Sequence, residues 1–131
     1  MADPLASRRR ERERLLDLAR AYAEGLRARL DLVGVVVVGS VARGDFNVWS
    51  DVDVVVVAET LPARAPERSA LLILDAPAGV QPIGFTTEEF DAAWKGGNPL
   101  AREATEAGVI LTEESFFGRY EPRPSHSSPP S

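Results

Sequence analysis

Residues 33–58 read VGVVVVGSVARGDFNVWSDVDVVVVA, and this stretch decides the fold of the chain. Its two valine runs, 35–38 and 54–57, bracket a polar insert. Continuous β-branched apolar runs of this kind are typical of strands that are covered on both faces. We therefore predict two buried strands, over 33–38 and 51–58, with a short helix beginning after Gly39-Ser40 and a loop completing the insert.

An amphipathic helix is predicted before this stretch. From Ser7 onward, apolar residues recur at steps of three and four and form one stripe. The stripe consists of Leu15, Leu18, Ala19, Tyr22, Leu26 and Leu30. Residues 1–6 are expected to fray. The mixed-sign run 8–14 is expected to pair mostly along the helix surface, rather than to form a nucleic-acid patch.

A second helix and an edge strand are predicted after the central stretch. Pro66 suits the first turn of a helix that carries Leu71, Leu72 and Leu74 inward, although this LLIL run is also compatible with a short strand. Residues 80–85 (VQPIGF) predict a third strand, and Pro82 places it at a sheet edge or a bulge.

Two capped helices and a last strand complete the predicted domain. Thr86 and Glu89 have the spacing of a capping box, and Asn98-Pro99 is a cap followed by proline. Residues 109–111 predict the fourth strand. The order indicates an α+β fold, a mixed sheet of about four strands with helices packed on it, over residues 1–120. The Pro/Ser-rich tail 121–131 is predicted to be disordered.

Composition excludes several classes of chemistry. The 131 residues contain no cysteine, and the only histidine, His126, lies in the tail. Thiolate nucleophiles, zinc-cysteine sites and histidine acid-base catalysis are thereby ruled out. A net charge of -5 argues against a broad nucleic-acid-binding surface. No apolar run has the length of a membrane span, and no signal peptide is evident, so we expect a cytoplasmic protein.

Asp51 and Asp53 are the first candidates for a chemical role. Residues two apart in a strand point to the same face, so their carboxylates should lie side by side. Mg²⁺ prefers oxygen ligands and is typically held by one or two carboxylates together with substrate phosphates. The alternative is a solvated pair at a strand entrance that caps a turn, and the pair alone does not decide between them.

The other end of the insert carries groups suited to phosphate. Gly39 allows close approach of the backbone, and Ser40 offers a hydroxyl and an amide at a helix N-terminus. Arg43 projects from the same turn and can pair with a phosphate. Alone, this would be read as an ordinary helix start. Gly-Ser, ten residues and Asp-x-Asp together should arise by chance in roughly one chain in several hundred of this size.

These motifs resemble the minimal nucleotidyltransferases of the DNA polymerase β superfamily. That family's signature is Gly-Ser, ten residues, Asp-x-Asp, and 39–53 matches its spacing. The resemblance implies that Asp51 and Asp53 bind the metal and carry the catalysis. It also implies that Gly39 and Ser40 hold the triphosphate of ATP, to which Arg43 can add a contact from the same turn.

Some relatives of this type are antitoxins that transfer AMP to a tyrosine of a helical HEPN partner. The resemblance therefore implies Mg²⁺ as cofactor, ATP as substrate and a HEPN-type protein as partner. Assembly into a homo-oligomer is left open.

One position departs from the family pattern. The third carboxylate of the family comes from the next strand, where this chain has Gln81. An amide cannot act as a base. The alignment is then shifted, or another acid such as Asp75 or Glu88 substitutes, or activity is low or lost.

Three functions remain open at this point. The first is an ATP-dependent nucleotidyltransferase that acts on a partner protein. The second is a catalytically impaired nucleotide-binding module that neutralises its partner by contact. The third is a nucleotidyltransferase for a small molecule or an RNA end, and the chain offers no second domain for such a substrate.

Overall fold

A computed structural model describes residues 3–47, 50–113 and 116–120. The predicted disordered tail 121–131 lies outside the described residues, so that prediction stays untested. In the described part of the chain, no helix is long and apolar enough to cross a membrane.

The sheet has four strands, β1 (Leu32–Val38), β2 (Val52–Ala58), β3 (Val80–Thr86) and β4 (Val109–Ile110), in the order β3-β2-β1-β4. β1 pairs antiparallel with β2 and β4, and β2 pairs parallel with β3. The predicted mixed α+β sheet is therefore confirmed.

The helices form a layer on each face of the sheet. Their bounds are α1 Pro4–Arg27, α2 Gly39–Arg43, α3 Ala65–Ile73, α4 Thr87–Lys95 and α5 Pro99–Glu106, followed by a 3-10 helix at Phe117–Arg119. One core joins α1, α2 and α3 to one face, and a second core joins α4, α5 and the 3-10 segment to the other.

The valine runs supply both cores because side chains alternate along a strand. Val35, Val37, Val54 and Val56 belong to the core on the α1 side, while Val36, Val38, Val55 and Val57 belong to the other. All eight are 0–1 % exposed. This double coverage explains why the strands are apolar at every position.

Two local predictions were wrong. α1 begins at Pro4 rather than near Ser7, because the Asp3 carboxylate accepts a hydrogen bond from Leu5 N at 3.0 Å and proline suits the first turn. The LLIL run is helical, as first predicted, but Leu74 follows α3 and is 70 % exposed. Only Leu72 of that helix is fully buried, because its position faces α1 and β3.

The predictions for the third strand and the capped helices are confirmed. β3 lies at the sheet edge, where Pro82 removes no hydrogen bond from a central strand. Thr86 and Glu89 form the capping box at α4, and the Asn98 side chain accepts hydrogen bonds from two amides of α5. These caps satisfy backbone donors that would otherwise have no partner.

Candidate functional site

Strand register brings the two ends of the polar insert together. Val38, the last residue of β1, pairs with Asp53 in β2, and α2 starts directly after Val38. Gly39 has a φ of +78°, and a Cβ built on it would lie 2.6 Å from Asp53 Oδ2. The backbone of the Gly39-Ser40 turn therefore lies against the Asp53 carboxylate. Glycine is required there because of the positive φ and because a side chain would collide with Asp53.

The two aspartates differ in their surroundings. β2 begins at Val52, so Asp51 precedes the strand and is exposed, whereas Asp53 is half-buried. Val52 is fully buried between them. Burial raises the pKa of Asp53, and the nearby charges of Asp51 and Glu103 raise it further, while Arg43 lowers it. The site thus concentrates negative charge that a bound cation would relieve.

Ser40 and Arg43 are both positioned by α2. In the described part of the chain, the Ser40 hydroxyl has no hydrogen-bond partner, so its donor is free for a ligand. Arg43 is already paired: its Nε lies 3.3 Å from Asp45 Oδ2 and one terminal nitrogen lies 3.0 Å from Glu103 Oε2. Arg43 therefore keeps only part of its donor set for a phosphate.

Glu103 also belongs to the site, although no sequence pattern selected it. Its Oε2 accepts a hydrogen bond from Gly39 N at 2.7 Å, across 64 residues of sequence. It reaches the turn because α5 packs on the same face of the sheet as Asp53, opposite to the face that buries Val52.

Two arginines of α1 fix the other end of α2. Arg12 donates to the carbonyls of Val41 and Ala42 at 2.8 Å each, and Arg8 donates to the carbonyls of Gly44 and Phe46. The prediction that run 8–14 pairs along the helix was wrong for these two residues, because free carbonyls at the end of α2 face them. A cavity of about 390 Å³ beside Gly44 is lined by these side chains.

Gln81 lies beside Asp53 in the sheet. It is the register partner of Asp53 in the parallel pair β2-β3 and is exposed. The alternative acids do not replace it. Asp75 lies 2.8 Å from Arg29 Nε in an ion pair. Glu88 follows the far end of β3, and that end lies about 16 Å from Gln81 at 3.3 Å per residue. The position opposite Asp53 is therefore neutral.

The donor set is compatible with Mg²⁺ only in part. Among the described residues, no group of three or more Asp, Glu, His or Cys side chains is placed to hold a metal ion. Asp51 and Asp53 offer carboxylate oxygens, the ligands that Mg²⁺ prefers, and this ion usually completes its shell with water and substrate phosphates. Asp51 and Asp53 can therefore supply two ligands to Mg²⁺, and a substrate phosphate is needed to complete the site.

Comparisons with known proteins agree with this geometry. A family model described as "Nucleotidyltransferase domain" matches residues 19–96, more than half of the chain. "Putative protein adenylyltransferase MJ1305" of Methanocaldococcus jannaschii is 32% identical over 98 residues, which are 69% of this chain and 65% of that protein. This chain thus spans less than two thirds of that relative.

The fold is also found in a solved structure. A crystal structure titled as a putative nucleotidyltransferase from Sulfolobus solfataricus superimposes with a TM-score of 0.62 at 21% identity. The match covers 83% of this chain and 89% of the other. At this identity the likeness concerns the fold alone. The family match, with the Gly-Ser turn against Asp53, establishes that this chain belongs to the nucleotidyltransferase domain family of the polymerase β-like superfamily.

Proposed function

We propose that this chain transfers AMP from ATP to a hydroxyl group on a partner protein. The observation that carries the proposal is the contact between the Gly39-Ser40 turn and the Asp53 carboxylate, which joins a phosphate-binding element to a metal-binding one. The protein acceptor is favoured by the printed name of the Methanocaldococcus relative, a protein adenylyltransferase.

The proposed roles follow from the positions of the side chains. The free Ser40 hydroxyl and the Ser40 backbone amide hold phosphate oxygens, and the donors left on Arg43 pair with the same group. Asp51 and Asp53 hold Mg²⁺. When bound, this ion neutralises charge on the entering and leaving oxygens. The acceptor oxygen bonds to the α-phosphorus as the bond to pyrophosphate breaks. The acceptor hydroxyl releases its proton to solvent, and Gln81 cannot serve as the base.

We further propose a helical HEPN-type partner in the cytoplasm, with this chain as its antitoxin. The support is the resemblance of 39–53 to that type of nucleotidyltransferase. The chain and partner would be produced together, and the partner would be inactivated when one of its tyrosine hydroxyls receives AMP.

Transfer of labelled AMP to the co-produced partner, from ATP that is labelled at its α-phosphate, tests this function. Wild-type protein with Mg²⁺ should label the partner, and Asp53→Asn should reduce labelling at least a hundredfold. Asp17→Asn is the matched control, since Asp17 is an exposed carboxylate on α1 that pairs with Arg20. Labelling that survives Asp53→Asn, or that chelation of Mg²⁺ leaves unchanged, would refute the proposal.

The second candidate is an impaired module that neutralises its partner by binding, and Gln81 opposite Asp53 favours it. Gln81→Asp restores a carboxylate at this position. If the wild type is impaired, this variant should label the partner at least tenfold faster, because a positioned base or ligand contributes factors of about 100 or more. Efficient labelling by the wild type, unchanged in Gln81→Asp, would exclude this candidate.

A further inference from the structure

The helix α2 has no cap of its own. The residue at its N-cap is Val38, whose side chain cannot accept a hydrogen bond. The first amides of a helix have no partner inside the helix and need one from elsewhere. Gly39 N finds that partner in Glu103 Oε2, 2.7 Å away on α5. A distant carboxylate therefore performs the function of a local cap.

The same oxygen also holds the last residue of α2. Arg43, at the C-terminal end of this five-residue helix, donates to Glu103 Oε2 at 3.0 Å. The axial rise of a helix places its two ends about 7 Å apart, so the Arg43 side chain must fold back towards Gly39. One carboxylate oxygen thus fixes both the turn amide and the direction of the arginine.

Asp45 pairs with the same arginine through a different nitrogen. Its Oδ2 lies 3.3 Å from Arg43 Nε, but its side chain is 63% exposed, against 27% for Glu103. Attraction between exposed charges is weakened by water more than attraction between partly buried ones. Without the Glu103 charge, the guanidinium would follow Asp45 into the loop and away from Gly39.

We propose that Glu103 is a positioning residue for the phosphate-binding turn, which keeps Gly39 capped and Arg43 directed towards the phosphates of the nucleotide. The proposal rests on the proposed nucleotide-binding function. It assigns to α5 a part in a site whose sequence motifs all lie between residues 39 and 53. Glu103 contacts no substrate in this proposal and acts only through Gly39 and Arg43.

Two substitutions of Glu103 separate its bond to Gly39 N from its bond to Arg43. Glu103→Gln keeps an oxygen that accepts from Gly39 N but loses the charge that holds Arg43, whereas Glu103→Ala loses both. Glu106→Gln is the matched control, since Glu106 is exposed on the same helix and its side chain makes no hydrogen bond or ion pair in the described part of the chain.

Nucleotide affinity separates positioning from a merely structural effect. With Mg²⁺ present, Glu103→Gln should raise the Kd for ATP about tenfold, Glu103→Ala should raise it more, and Glu106→Gln should leave it unchanged. The Kd for AMP should stay within twofold in all three variants, because AMP lacks the β- and γ-phosphates that Arg43 would contact. Tighter or unchanged ATP binding in Glu103→Gln, or equal loss of ATP and AMP, would overturn the proposal.

Hydrogen exchange of the ligand-free protein tests the positioning independently of the proposed function. The Gly39 amide should exchange at least tenfold faster in Glu103→Ala than in the wild type or Glu106→Gln. Equal protection in all three would overturn the positioning role. Failure of the wild type to bind ATP would instead overturn the proposed function, and the exchange result would still decide whether Glu103 holds the turn.

Discussion

Replacing Gly39 by alanine should separate backbone strain from crowding at the site, because a second glycine provides the matched control. Gly39 and Gly44 lie at the two ends of α2 with φ of +78° and +89°. A left-handed conformation costs a residue with a side chain about 1–2 kcal/mol. A Cβ at Gly44 meets nothing within 4 Å, whereas a Cβ at Gly39 lies 2.6 Å from Asp53 Oδ2.

The expected magnitudes follow from this difference. Gly44→Ala should cost only the backbone term, about 1–2 kcal/mol. Gly39→Ala must also move the Asp53 carboxylate out of its rotamer, which adds about 0.5–1.5 kcal/mol. With roughly 3–5 °C per kcal/mol for a domain of this size, Tm should fall about 5 °C in Gly44→Ala and about 10 °C in Gly39→Ala.

Thermal unfolding and binding of Mg²⁺-ATP together provide the assay. Gly39→Ala should lose nucleotide binding as well as stability, because Asp53 and the turn amide are displaced together. Gly44→Ala should retain binding at a temperature where it is folded. Equal loss of stability in the two variants, or full ATP binding by folded Gly39→Ala, would refute the inferred contact between the turn and Asp53.

Three further substitutions have defined outcomes. Asp53→Asn should raise the urea midpoint of metal-free protein at pH 7. The pKa of Asp53 is raised in the folded state, so its ionisation destabilises the fold as pH rises through that value. The gain in stability over wild type should therefore vanish in acid, where Asp53 is protonated. Tyr22→Phe removes the hydroxyl that donates to Leu72 O and should cost about 1–2 kcal/mol by urea unfolding; a cost near zero would contradict that bond. Burial raises the pKa of Tyr22 to about 12, so the stability conferred by its neutral form should persist to about pH 10 and decline towards pH 12. Arg12→Met removes two bonds to the end of α2 and should cost about 1–3 kcal/mol, whereas Arg10→Met, which loses only a bond to Ser7, should be nearly neutral by the same measurement.

The sheet was predictable because its signals are local. Valine at every position of 35–38 and 54–57 requires cover on both faces, and the structure provides it with a helical layer on each side. Pro82 indicated an edge strand for the same kind of reason, since it cannot donate to a ladder. The exposure of Leu74 was not predictable, because helix α3 ends one residue earlier and periodicity cannot locate that end.

The candidate site was predictable only where its residues are close in sequence. Gly39, Ser40, Asp51 and Asp53 form one motif, and the antiparallel register brings its two ends together. Glu103 and Arg12 reach opposite ends of α2 from other helices. Each bonds to backbone groups there, and such partners leave no mark in a sequence pattern. Local spacing therefore finds the groups that would touch a ligand and misses those that hold them.

The bond between Glu103 and Gly39 also has a consequence for the order in which the molecule forms. It joins residues 64 positions apart, so the turn cannot be capped until α5 has been synthesised and has docked on the sheet. Contacts of such long sequence separation form late, since the intervening chain must first be ordered. A nascent chain that already exposes the whole motif would therefore lack a finished turn. Termination after Asp53 but before Glu103 would give a product that contains the signature but not its support.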